Sequence, residues 1–188
     1  KSGSKRNISA HYDLGNAFYR EWLDPSMTYS SALFADGAND LESAQKAKYQ
    51  ALLRDIAAKP GDHILEIGCG WGGFAEEAAK FGCKVTGLTI SREQHEFATA
   101  RMKKAGLDQL ASIKFQDYRD ERGIYDHVVS IEMFEAVGEK HWPIYFSALR
   151  DRLKPGGKAG LQIITINADV FESYKKRPDF IQAYVFPG

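Results

Sequence analysis

Apolar positions along this chain change period near residue 63. Beyond it, short apolar runs alternate with stretches where apolar residues recur every three to four positions. The runs at 63–67, 84–88, 112–115, 126–131 and 158–165 predict strands, and the stretches at 72–81, 91–105 and 142–153 predict helices. Such alternation specifies a parallel sheet with helices on both faces, because each strand has to be carried back to the same end by a crossover. Upstream, residues 8–23 place Tyr12, Phe18, Tyr19, Trp22 and Leu23 at helical spacing, and Asp24-Pro25 ends that helix. Residues 27–34 form a loop rich in hydroxyls and aromatics. Asp40 is placed to cap a helix over 41–58 that buries Leu52, Leu53 and Ile56.

Two turns punctuate the pattern: Lys59-Pro60-Gly61-Asp62, and Lys154-Pro155-Gly156-Gly157 feeding the fifth strand. Residues 171–184 read as partly helical, broken at Pro178. Residues 1–7 are a basic, polar end. The division is an N-terminal helical cap over 1–60 and a doubly wound α/β domain over 61–188, together one domain. A sheet of this kind normally closes with two further strands; they are missing from the pattern, so the chain is expected to be incomplete at its C-terminal end.

The chemistry concentrates between the first strand and its helix, in Glu66-Ile67-Gly68-Cys69-Gly70-Trp71-Gly72-Gly73. Glycines there let the backbone come close to a ligand and adopt angles other residues avoid. The helix that follows offers free N–H groups. Glu66 at the strand's end suits a cationic or hydroxyl-bearing ligand and is a poor neighbour for a pyrophosphate. The loop therefore reads as an S-adenosylmethionine (SAM) site rather than a nicotinamide site, and the fold as the Rossmann-like fold of class I SAM-dependent methyltransferases.

Composition narrows the field. A length of 188 residues with 44% hydrophobic and 27% charged content is that of an ordinary globular domain. Formal net charge is zero, which argues against a general nucleic-acid binder. Attraction to a membrane by bulk charge is equally unsupported, although a local patch such as Lys175-Lys176-Arg177 can serve; a solvated helix face is the stronger reading of that run. No apolar run approaches the roughly 20 residues of a membrane span. Two cysteines, Cys69 and Cys83, make no disulfide framework, and the expectation is reduced thiols in a cytoplasmic protein. The five histidines have no metal-ligand spacing, and Ser31 lies in no Gly-x-Ser-x-Gly elbow.

The pieces His11-Tyr12-Asp13-Leu14-Gly15-Asn16, Met27 to Ala32, Leu41 to Gln45, Glu66 to Gly73, Gly87 to Ser91, Met133 to Gly138, Asp179 to Gln182 and Tyr184 to Gly188 occur in one order. In this the chain resembles, over nearly its whole length, the cyclopropane-fatty-acyl-phospholipid synthases and the related mycolic acid cyclopropane synthases. That resemblance implies methyl transfer from SAM to the cis double bond of a lipid acyl chain.

The resemblance also assigns residues. Gly68, Gly70, Trp71 and Gly72 wrap the methionine part of SAM, and Tyr29 and Ser30 close over it. Thr89 and Gln94 take the ribose, Asp117, Tyr118 and Arg119 border the adenine, and Ile90 and Ile131 complete the set. The plain alternatives are a core tyrosine for Tyr29, an exposed helix residue for Gln94 and an ordinary polar loop for Asp117. In the family a bound bicarbonate is thought to remove the proton that lets the ring close. Glu135 matches the glutamate that holds it, with Glu132 on the same loop ranked behind, and Ile164 matches a backbone N–H donor. Two positions depart: Ser31 replaces a cysteine and Gln162 a histidine. A glutamine donates a hydrogen bond but carries no charge, so the departures bear on ring closure and not on SAM. The matching tyrosine falls beyond Gly188.

Trp71, Phe134, Trp142 and Tyr145 are candidates for an acyl tunnel, with core packing an equal or better reading. Three functions stay open at this stage, in order: a SAM-dependent C-methyltransferase of unsaturated phospholipid acyl chains, giving a cyclopropane or methyl-branched product; a small-molecule amine methyltransferase; and an inactive SAM-binding homologue. Peripheral contact with the inner membrane face and a homodimer are both compatible with the pattern.

Overall fold

The apolar runs pair as five parallel strands: β1 (His63–Ile67), β2 (Lys84–Thr89), β3 (Ala111–Phe115), β4 (Tyr125–Ile131) and β5 (Leu153–Gln162), in the order β3-β2-β1-β4-β5. They come from a computed structural model that describes residues 15–34, 37–174 and 176. Helices α1 (Gly15–Arg20), α2 (Leu41–Asp55), α3 (Gly73–Lys80), α4 (Arg92–Lys104), α5 (Trp142–Asp151) and α6 (Ala168–Tyr174) surround the sheet. The order reverses between β1 and β4. In open α/β sheets ligands bind beyond the carboxyl ends of the strands at such a switch point.

Side chains alternate across the sheet and sort its two cores. Ile64, Val85, Ala111 and Val129 pack under Tyr49, Leu53 and Ile56 of α2 and its end, Phe74, Ala75 and Ala78 of α3, and Met102 of α4. Leu65, Ile67, Leu88 and Val128 pack on the other face against Tyr145 and Leu149 of α5. Glu66 shares the first face with Ile64 and is buried there. Capping follows the sequence. The Asp40 side chain accepts from the Ser43 N–H while the Ser43 hydroxyl answers the Asp40 N–H, and Ser91 caps α4 by accepting from the Gln94 N–H.

Three expectations are corrected. The fifth strand starts at Leu153, ten residues long, and takes in Lys154-Pro155-Gly156-Gly157. Tyr125 pairs with Leu153 and His127 with Lys158, so the extra residues bulge from an edge strand, where proline and the left-handed Gly156 (φ 80°) are tolerated. It ends at Gln162 because its neighbour β4 ends opposite, at Ile131, and 163–165 have no ladder to join. α2 stops at Asp55, since Ala57 adopts φ 57°, outside the helical region. Within 8–23 the described helix is Gly15–Arg20; Tyr12, like Pro178, lies outside the described residues.

Candidate active site at the switch point

The turns after β1 and β4 meet where the strand order reverses. Gly68 has φ 81°, and a Cβ built on it lies 2.8 Å from Met133 Cγ, so the turn after β4 closes on it only because it is glycine. Gly72 is held likewise, 3.1 Å from Ala98 Cβ on α4. Gly70 (φ 53°) differs: nothing lies within 4 Å of its Cβ position, so the turn presents a bare backbone face to open space.

Residues assigned to the cofactor follow β1 and β3, end or follow β2, end β4, or lie in the N-terminal segment. Thr89 and Gln94 are both buried, and the Thr89 hydroxyl donates to Gln94 Oε1 at 2.9 Å while accepting from the Ser91 N–H. Burial and this bond remove the exposed-helix reading of Gln94. Ile90 follows Thr89 and is half-buried. Asp117 is buried and accepts three bonds from Arg119: its N–H at 3.0 Å, Nε at 2.9 Å and Nη2 at 2.5 Å. The half-buried Tyr118 stacks edge-on against Tyr145. Trp71 is buried, and its indole donates to Asn16 Oδ1 at 2.6 Å. Tyr29 packs edge-on against Tyr19, Trp22 and Trp71. Its phenol is pushed above the usual range by burial and by the Glu132 carboxylate.

Those candidates separate into two groups. Glu132 Oε1 accepts from the Ser31 N–H at 3.0 Å, the Ser31 hydroxyl at 2.7 Å and Gln162 Nε2 at 2.8 Å. Gln162 also donates to Ser31 Oγ at 3.0 Å. Glu135 instead accepts from the Ile164 N–H at the start of the segment after β5, and is exposed. Ile131, at the end of β4, pairs in register with Gln162. Two of the donors assigned to a bound bicarbonate, Ser31 and Gln162, thus converge on a carboxylate of the chain itself, while the Ile164 N–H meets Glu135. With these donors spent on Glu132, Ser31 and Gln162 as arranged here do not fit a free bicarbonate as well.

Three charged residues support the turns. Lys48 of α2 is buried, donates to Ser30 Oγ at 2.6 Å, and has its ammonium pulled down to about 8 by burial. Gln45, one turn earlier, donates to the Ser30 carbonyl at 2.7 Å. Glu66 is buried at the end of β1, and burial raises its carboxyl to about 8. Arg101 of α4 donates to Glu76 on α3, to the Ser26 carbonyl at 2.6 Å and to the Trp71 carbonyl at 3.4 Å. Sequence reasoning missed Gln45 and Lys48; their signal was a polar pair at helical spacing on a face otherwise made of Ala44, Tyr49 and Leu53. The tunnel candidates Phe134, Trp142 and Tyr145 pack on one another, with centroids 5.1 Å apart for Phe134–Trp142 and Phe134–Tyr145. His63 meets Thr86 and His127 meets Asp62, neither at the site, while His11 lies outside the described residues. Both cysteines are free and buried. No group of three metal-binding side chains exists among the described residues, and no described helix is long and apolar enough to cross a membrane.

A parallel sheet of this order with a glycine turn after β1 is the Rossmann-like fold of SAM-dependent methyltransferases. The chain belongs to the mycolic acid cyclopropane synthetase family, whose model matches residues 1–188. It is 41% identical over 192 residues to tuberculostearic acid methyltransferase UfaA1 of Mycobacterium tuberculosis, covering 98% of this chain and 45% of that protein. It is 41% identical over 184 residues to cyclopropane-fatty-acyl-phospholipid synthase of Escherichia coli, covering 95% and 44%. Among solved structures, mycolic acid cyclopropane synthase CmaA1 complexed with SAH and CTAB superimposes with a TM-score of 0.85 at 28% identity, covering 97% of this chain and 68% of that one. The chain spans about half the length of the curated relatives it matches.

Proposed function

We propose that this chain is the methyl-transferring part of an enzyme that moves a methyl group from SAM to the double bond of an unsaturated phospholipid acyl chain, giving a methyl-branched or cyclopropane product. One observation carries the reading: the open backbone face at Gly70 lies at the same sheet end as a hydrogen-bonded carboxylate, in a chain of this family.

When bound, SAM supplies an electrophilic methyl. The chain's own residues position it. Gly68, Gly70, Trp71 and Gly72 form the cradle, with Tyr29 and Ser30 above it. The amide NH2 of Gln94, whose oxygen is taken by Thr89, is the donor for a ribose hydroxyl. Asp117, held in place by its bonds to Arg119, accepts from the adenine amine. Alignment of the alkene in a dry site supplies most of the rate, since the first step needs no proton transfer. Contact with the membrane surface while an acyl chain is loaded belongs to the same proposal.

The test is to incubate the full-length protein with phospholipid vesicles carrying oleoyl chains and methyl-labelled SAM, and to analyse the released fatty acids. Label in acyl chains one CH2 heavier is expected. Label confined to added amines would favour the small-molecule reading, and tight SAM binding without any turnover would favour the inactive one.

A further inference from the structure

We infer that Glu132 is the proton acceptor of this site, standing where the family resemblance places bicarbonate, so that the reaction runs without an external anion. The inference rests on the acyl-chain reading above. Glu132 is the first residue after β4, at the switch point, and adopts φ 46°. Only glycine takes that conformation without strain, and a strained residue at a ligand-binding turn points to a use for its side chain. Three donors fix the use: the Ser31 N–H, the Ser31 hydroxyl and the Gln162 amide all meet Oε1. Oε2 has no hydrogen-bond partner among the described residues, and the side chain is only half-buried. One oxygen is thus anchored and the other is free to act. Lys48 reaches Ser30, the neighbour of Ser31, and holds the loop that carries two of the three donors.

The step balances without a further reactant. Methyl transfer forms a carbon–carbon bond as the sulfur–carbon bond breaks, the sulfur keeping the electron pair, and leaves a cation on the acyl chain. Glu132 Oε2 takes a proton from the transferred methyl or a neighbouring carbon. The released C–H electron pair closes a ring or forms a new double bond, and the Glu132 acid returns its proton to water. The departures at Ser31 and Gln162 follow. A neutral amide and a hydroxyl suffice to hold a carboxylate that is covalently part of the chain, whereas a diffusible anion gains more from a cationic partner.

The test uses the full-length protein, oleoyl phospholipid vesicles and methyl-labelled SAM in carbon-dioxide-depleted buffer. Wild-type turnover should be unchanged by added bicarbonate. Glu132→Gln should lose about 10²- to 10⁴-fold in turnover, the usual share of a general base, with SAM affinity retained. Glu132→Gly, which suits the backbone at this position, should fold at least as well, lose turnover, and regain part of it with bicarbonate or formate. A merely structural bracket would show no such rescue, and its absence in the folded glycine variant would overturn the assignment. So would a wild-type enzyme that stops without bicarbonate, or a Glu132→Gln enzyme near wild-type rate. A wild-type enzyme that labels no acyl chain in either buffer would overturn the function itself, and this inference with it.

Discussion

Gln162 Nε2 lies 2.8 Å from Glu132 Oε1 and 3.0 Å from Ser31 Oγ, so one amide at the end of β5 ties the turn after β4 to the N-terminal loop. Gln162→Ala removes one of three bonds to a carboxylate, a bond to a charged group being worth about 1.5–3 kcal/mol in place. The expected result is a fall in turnover of about tenfold or more, with little change in melting temperature because the site is at the surface. Steady-state rates beside thermal melts check it.

Gly70 faces open space at φ 53°. Gly70→Val puts a β-branched side chain into the cradle and strains the turn, which together cost the bound state about 3 kcal/mol, or roughly 100-fold in SAM affinity. Calorimetric titration with SAM decides it; retained affinity would remove the glycine turn from the binding site.

Glu135 holds the Ile164 N–H, and a glutamine oxygen accepts that bond as well. Glu135→Gln is therefore expected to reduce turnover by no more than about tenfold, well short of the loss at a general base. Rates for Glu135→Gln and Glu132→Gln under one set of conditions rank the two carboxylates; the reverse ranking would make Glu135 the more important of the two.

Glu66 gives a pH signature. Its folded value of about 8 stands above the ordinary 4.5, so its contribution to stability is complete below pH 4.5 and declines as pH rises through 8. Glu66→Gln mimics the protonated acid and keeps the acceptor for the Ala75 N–H. The variant should match wild type near pH 4.5 and exceed it by on the order of 3 kcal/mol at pH 7. Urea unfolding across that range measures the gap; a constant gap would contradict the assignment.

The sequence alone determined the strand–helix alternation, the glycine turn with its helix and the cap at Asp40. These are local: strand and helix periods, positive-φ glycines and capping side chains act within a few residues, so they survive without a partner chain segment. The irregular fifth strand was not legible, because its bulge and its end depend on where β4 stops. Only the tertiary structure decided which carboxylate meets Ser31 and Gln162. Residues 31, 132 and 162 come together through sheet order and the left-handed turn at Glu132, and neither is written in spacing along the chain. It also decided that Glu66 is buried at the end of β1, since which face of β1 a residue joins is settled by what packs there.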